Sequence, residues 1–134
     1  SMTPRQTPVR RTVDDLLDSA RARLVRLTPE QAFAAQATGA LLVDIRGDDQ
    51  IRDHGSIPGA IRIARNVLEW RADPACPAND PRIANLEAAL VIVCQQGYQS
   101  SLAAGNLHDL GFTRATDLAG GYEAWRAAGL PIEG

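Results

Sequence analysis

Lysine is absent from this 134-residue chain; all fourteen basic residues are arginine. With no primary amine on a side chain, a Schiff-base lysine, a lysine general base and a phosphate-cradling lysine are all excluded. Cysteine is scarce, at two residues, and no apolar signal core precedes them, so Cys76 and Cys94 read as separate thiols rather than a disulfide framework. Aromatic residues make up 4 %. Trp70 and Trp125 have no basic stripe beside them and read as core or rim packing, not as a platform for stacking bases. Long apolar runs are missing too: the longest, residues 88–94, is far below the roughly 20 residues that cross a bilayer. The formal net charge of −2 gives no attraction to a nucleic-acid backbone or an anionic membrane. These absences predict a cytoplasmic protein with no nucleic-acid partner and no membrane partner.

What is present is the ordinary soluble mixture, 45 % apolar and 22 % charged, at a length that suits one domain with a short appendage. Ser1-Met2 reads as a tag-removal scar. Residues 1–26 hold six arginines and three aspartates, for +3, which leaves −5 on residues 27–134. The first stretch is therefore expected to be an N-terminal helical extension, and 27–134 the domain proper. From Thr12 the segment TVDDLLDSARARLV has an N-cap, Asp14 and Asp15 in the first turn, and Arg21 and Arg23 near its end, the polarity the helix dipole favours. Val13, Leu16, Leu17, Ala20 and Leu24 recur at helical spacing and predict packing on the domain. A mitochondrial-type targeting helix would explain the arginines but not the three acids.

Thr28-Pro29-Glu30-Gln31 is a capping box with proline at the first helical position, opening a helix that stops at Gly39. Leu41-Leu42-Val43-Asp44-Ile45 has the length of a buried strand. Ile57-Pro58-Gly59-Ala60 predicts a turn and Ile61-Arg62-Ile63 a short strand; residues 71–82, rich in proline and aspartate, predict loop. Leu90-Val91-Ile92-Val93 is the most apolar strand, followed by a turn around Gly97 and a helix over 100–110 closed by Gly111. A strand over 115–118 and a helix over 122–128 complete the pattern. Apolar runs alternating with helices imply an α/β domain: a central parallel sheet of about five strands with helices on both faces.

Cys94 falls where chemistry is most easily placed, beyond the carboxyl end of a buried strand and before a helix. Backbone N–H groups of such a turn converge and, with the positive end of the helix dipole, can hold a thiolate or an anionic substrate. The bland alternative is a small core residue ending a strand.

Cys94-Gln95-Gln96-Gly97-Tyr98-Gln99-Ser100 resembles the active-site loop of rhodanese domains, C-x-x-G-x-R-S. Asp44-Ile45-Arg46 is similar to the D-x-R after the family's early strand. His54-Gly55-Ser56-Ile57-Pro58-Gly59-Ala60 resembles its G-H-I-P-G-A turn, with Ser56 at the usual histidine position. Leu118-Ala119-Gly120-Gly121 with Trp125, Gly129 and Pro131 is similar to the closing L-x-G-G…W…G-x-P. The resemblance implies a single-domain sulfurtransferase whose Cys94 takes sulfane sulfur from a donor, becomes a persulfide, and passes the sulfur to a thiophilic acceptor. Thiosulfate or a persulfide, including a persulfidated protein, would be the donor, and a thiol or cyanide the acceptor. No cofactor and no metal are implied. Residues Gln95, Gln96, Gly97, Tyr98, Gln99 and Ser100 would form the substrate-binding loop, with their N–H groups around the outer sulfur as in an oxyanion hole. The loop has the six-residue length of sulfur-handling members; the related cell-cycle phosphatases have one residue more, ending in arginine. The alternative function is a weak or inactive rhodanese-fold module for binding or sulfur sensing.

Gln99 departs from the pattern, standing where the family commonly has arginine, and no residue from 95 to 101 is charged. Loss of a charge-assisted hydrogen bond weakens binding of a dianion such as thiosulfate and favours persulfide donors. Arg65, after the 61–63 strand, is the candidate to reach the loop from elsewhere. Asp44 and Arg46 flank a strand end and read first as a structural ion pair, with a supporting role at the site second. His54 in a polar loop and His108 on a helix read as solvated, without ligand-spaced partners. Cys76 could pair with a persulfidated Cys94, but chance exposure is the simpler reading. Tyr98 reads as a shaper of the pocket mouth or as a lid.

Overall fold

The computed structural model describes residues 9–134; the reading of Ser1-Met2 lies outside them. Six helices and four strands follow in the order α1 (Val13–Arg21), α2 (Pro29–Ala37), β1 (Leu41–Asp44), α3 (Asp48–His54), β2 (Ile61–Arg62), α4 (Leu68–Ala72), β3 (Leu90–Val93), α5 (Gln99–Asp109), β4 (Thr116–Asp117) and α6 (Gly121–Ala127). The strands form one parallel sheet in the order β2-β1-β3-β4.

Side chains alternate across a strand, and the two faces of β3 show what each holds. Leu90 and Ile92 pack with Ala103, Ala104 and Leu107 of α5 and with Leu68 and Ala72 of α4. Val91 and Val93 face Ala32 of α2 and Tyr122 and Trp125 of α6. Helices thus cover both faces, as the continuous apolar runs predict. Cys94 continues the alternation onto the α5 side.

The sheet has four strands where about five were expected. Leu27 forms only an isolated parallel bridge with Leu118. The chain cannot extend it, because Thr28 is already the N-cap of α2 and Pro29 its first residue. The central helices also differ from expectation: α3 ends at His54, read as loop, and α4 carries Arg71 and Ala72 into a short helix. For α3 the signal is the dipole pattern of Asp48 and Asp49 in its first turn and Arg52 and His54 in its last.

In α1 the Thr12 hydroxyl accepts from the Asp15 N–H while the Asp15 carboxylate accepts from the Thr12 N–H, a reciprocal cap. Only Leu17 and Ala20 of the predicted apolar stripe are buried; Val13 and Leu16 remain exposed. α1 approaches α5 at small residues, where a β-carbon on Gly105 would stand 3.2 Å from Ala20. His108 is half-buried rather than fully solvated, with its ring Nε2 2.7 Å from the Ala115 carbonyl.

Candidate active site

Strand β3 delivers Cys94 to the sheet edge, and the chain then curls into α5. The Cys94 sulfur accepts hydrogen bonds from the Gly97 N–H at 3.1 Å and the Ser100 N–H at 3.3 Å. The residue is 8 % exposed, at the base of a cleft of about 400 Å³ lined by Ile45, Arg46, Gln50, Gln95, Gln96, Tyr98 and Gln99. The turn thus aims two main-chain donors at the sulfur, at the start of α5.

The loop rests on the Gly120-Gly121 pair. The Tyr122 N–H donates to the Cys94 carbonyl at 2.8 Å and the Glu123 N–H to the Gln95 carbonyl at 3.1 Å. These bonds require backbone against backbone: a β-carbon on Gly121 would fall 2.5 Å from the Cys94 carbonyl oxygen and 2.7 Å from the Gly97 nitrogen. Gly97 itself has φ +87° and would meet the Gly120 nitrogen at 2.7 Å.

The structure separates the loop's side chains. Ser100 faces the sulfur only through its N–H; its hydroxyl turns away and donates to Asp117 Oδ2 at 2.8 Å. Ser101 donates to the same oxygen at 2.7 Å, and Arg26 forks onto both carboxylate oxygens at 2.9 and 3.1 Å. Tyr98, 58 % exposed, stands at the cleft's rim. Gln95 Oε1 accepts from Arg46 at 3.0 Å, while its Nε2 is buried without a partner among the described residues, an unspent donor at the cleft wall.

Asp44 and Arg46 form a buried pair, 1 % and 5 % exposed. Arg46 spans both Asp44 oxygens, donates to the Gly55 carbonyl at 2.9 Å and lies 4.0 Å from the centre of the Tyr122 ring. Every contact is internal except the one to Gln95, so the pair holds the cleft wall. Breaking a buried pair leaves an uncompensated charge, so Arg46→Leu is expected to cost about 3–5 kcal/mol in a urea unfolding titration.

Arg65, in a 3-10 turn at Arg65–Val67, does reach the loop: its Nε donates to Gln99 Oε1 at 3.2 Å. Its Nη1 nitrogen donates to both Glu69 oxygens, at 2.9 and 3.1 Å. Burial pushes the Glu69 carboxyl up, but hydrogen bonds from Asn106, the backbone and Arg65, with the Arg65 charge, outweigh it and hold Glu69 below the usual carboxylate range. The cation at Gln99 is therefore already balanced. Cys76 is partly buried and free, and is not among the residues lining the cleft. No group of three candidate metal ligands occurs among the described residues.

Sequence reasoning missed the support behind the loop: Arg21, Arg26, Ser101 and Asp117. No spacing signal links them, because Arg21 and Gly97 are 76 positions apart. The surplus of arginine before residue 27 is the only trace they leave.

A parallel α/β sheet with a strand-end cysteine in an amide turn defines a class, and the comparisons agree with it. The Rhodanese-like domain model matches residues 28–128, and the chain belongs to that family. The thiosulfate sulfurtransferase GlpE of Pseudomonas entomophila is 38 % identical over 102 residues, covering 76 % of this chain and 84 % of that protein. The human single-domain sulfurtransferase TSTD1 is 30 % identical with a TM-score of 0.62, covering 76 % of this chain and 95 % of the other. A protein of unknown function from Rhodopseudomonas palustris, described as a "possible tyrosine phosphatase", is 33 % identical with a TM-score of 0.86, over 97 % of this chain and all of its own.

Proposed function

We propose that this protein is a rhodanese-type sulfurtransferase with Cys94 as nucleophile and sulfur carrier, and residues 95–100 as its cradle. The observation that carries this reading is the pair of N–H donors, from Gly97 and Ser100, on the Cys94 sulfur at the base of an open cleft. The Cys94 thiolate attacks the outer sulfur of the donor; with thiosulfate the S–S bond breaks and sulfite leaves with its electron pair. The resulting Cys94 persulfide anion is stabilised by the surrounding amides. A thiolate or cyanide then attacks the outer sulfur, the Cys94 S–S bond breaks, and the cysteine thiolate returns as leaving group. Residues 27–134 carry this chemistry, and α1 of the extension packs on their α5. A reducing, cytoplasmic setting would keep Cys94 from being oxidised between turnovers.

The test is the intact mass of the protein after incubation with thiosulfate and, separately, with a persulfide donor. One added sulfur, removed by cyanide or a thiol, is expected; no uptake at a thiol that alkylates normally would leave a binding module. Phosphatase chemistry is disfavoured by the absence of any charge from residue 95 to 101, because a phosphate dianion needs a cation in its loop.

Donor preference follows from Gln99. Gln99→Arg adds a cation to the loop, but beside Arg65 and with one carboxylate, Glu69, to balance both. The variant is expected to speed sulfur uptake from thiosulfate by about two- to fivefold and uptake from a persulfide of lower charge by less. An equal gain with both donors, or a gain with neither, would contradict this account of donor choice.

A further inference from the structure

We infer that Arg21 and Arg26, both preceding the stretch matched to the family, are positioning residues for the sulfur cradle, clamping the Gly97 carbonyl from behind the loop. Each donates through its NH2 to the Gly97 carbonyl oxygen at 2.9 Å. Arg21 also donates through Nε to the Ser101 hydroxyl at 3.0 Å and lies 5.7 Å from the centre of the Tyr98 ring. Gly97 is thereby held at both ends: its N–H points at the Cys94 sulfur and its carbonyl is fixed in the opposite grip. The peptide between Gly97 and Tyr98 is trans and planar, so a carbonyl pinned toward the arginines sends the Tyr98 N–H away from them. That N–H makes no backbone hydrogen bond among the described residues and is free to face an outer sulfur.

The two arginines differ in charge balance. Arg26 is neutralised by Asp117, whereas Arg21 has no carboxylate partner among the described residues. Arg21 therefore places a net positive charge one peptide unit behind a loop that has Gln99 where a cation is common. Glycine needs such a clamp, since at φ +87° it has no side chain to fix its peptides. The short α1 accomplishes this because its Leu17 and Ala20 dock on α5 and leave Arg21, in its last turn, facing the loop.

This role rests on the sulfurtransferase reading, so its test has one arm that needs no sulfur donor. Arg21→Ala removes one of the two charged hydrogen bonds on the Gly97 carbonyl and is expected to slow sulfur uptake at saturating donor about tenfold, with KM changed less than twofold. Arg21→Lys, which keeps a charge and one donor, is expected to stay within about threefold of the parent. In the other arm, alkylation of Cys94 by iodoacetamide is expected to slow in Arg21→Ala at an unchanged melting temperature. If the parent protein alkylates normally but takes no sulfur, the sulfurtransferase reading fails and slowed alkylation in Arg21→Ala still supports the clamp. Alkylation and uptake within twofold of the parent, equal losses in the alanine and lysine variants, or a loss that only follows a lowered melting temperature would each overturn it.

Discussion

Cys94→Ser is expected to reduce sulfur transfer to the rate of the protein-free mixture while leaving the fold intact. The substitution changes one atom at the base of the cleft, and the hydroxyl can accept from the same Gly97 and Ser100 N–H groups that now meet the sulfur. Packing and cradle geometry should therefore survive, and a thermal melt should differ little. What cannot survive is the chemistry. An alkoxide is inaccessible near neutral pH, and an oxygen–sulfur link to sulfane sulfur is not a stable carrier, so neither attack nor storage is possible. Cys76→Ser is the control; that thiol does not line the cleft, and its loss should leave transfer rates unchanged. Equal losses in the two variants would mean that the thiols work as a pair.

Gly121→Ala is expected to have the second-largest effect, on activity and stability together. The residue sits at φ +65°, where a β-carbon costs about 1–2 kcal/mol. That β-carbon would also fall 2.5 Å from the Cys94 carbonyl oxygen, a backbone atom that cannot swing aside. The loop must move as a unit, and misplacing a reacting group by about 1 Å is enough to cost about 10²-fold. Sulfur uptake should fall at least that far. Gly129→Ala separates the two causes: its φ is also positive, at +74°, but nothing lies within 4 Å of the added carbon. It should show the conformational cost in a urea titration and none of the loss in transfer. If both alanine variants lose activity alike, close approach behind the loop is not what shapes the cradle.

The parts of this molecule that were legible in the sequence are those encoded locally. The N-cap at Thr12 and the capping box at Thr28 start helices where read, and the apolar runs around Leu42 and Ile92 are the two central strands. Cys94 stands at the strand end that its run predicts, and Asp44 and Arg46 meet in the ion pair their spacing suggests. Edge elements were less legible, because two-residue strands such as β2 and β4 are set by neighbours rather than by their own composition. No run of its own marked a fifth strand, and the parallel bridge at Leu27 is cut short by the cap that follows. Least legible was the brace behind the loop. Ser100 belongs to the active-site motif by sequence, but only the fold shows that its hydroxyl serves Asp117 and its N–H the sulfur. The contacts of Arg21 and Arg26 with Gly97 depend on how α1 docks on α5, and nothing near residue 97 announces them.

The central claim is that one sulfur, ringed by main-chain amides, is both the attacking group and the store. A crystal structure of the protein after exposure to a sulfur donor tests it most directly. Density is expected for a second sulfur bonded to Cys94 Sγ, within hydrogen-bonding distance of the loop's N–H groups and with no charged side chain in contact with it. An intact, reactive thiol that stays unmodified, or an added sulfur turned out into the cleft with no amide in reach, would contradict it.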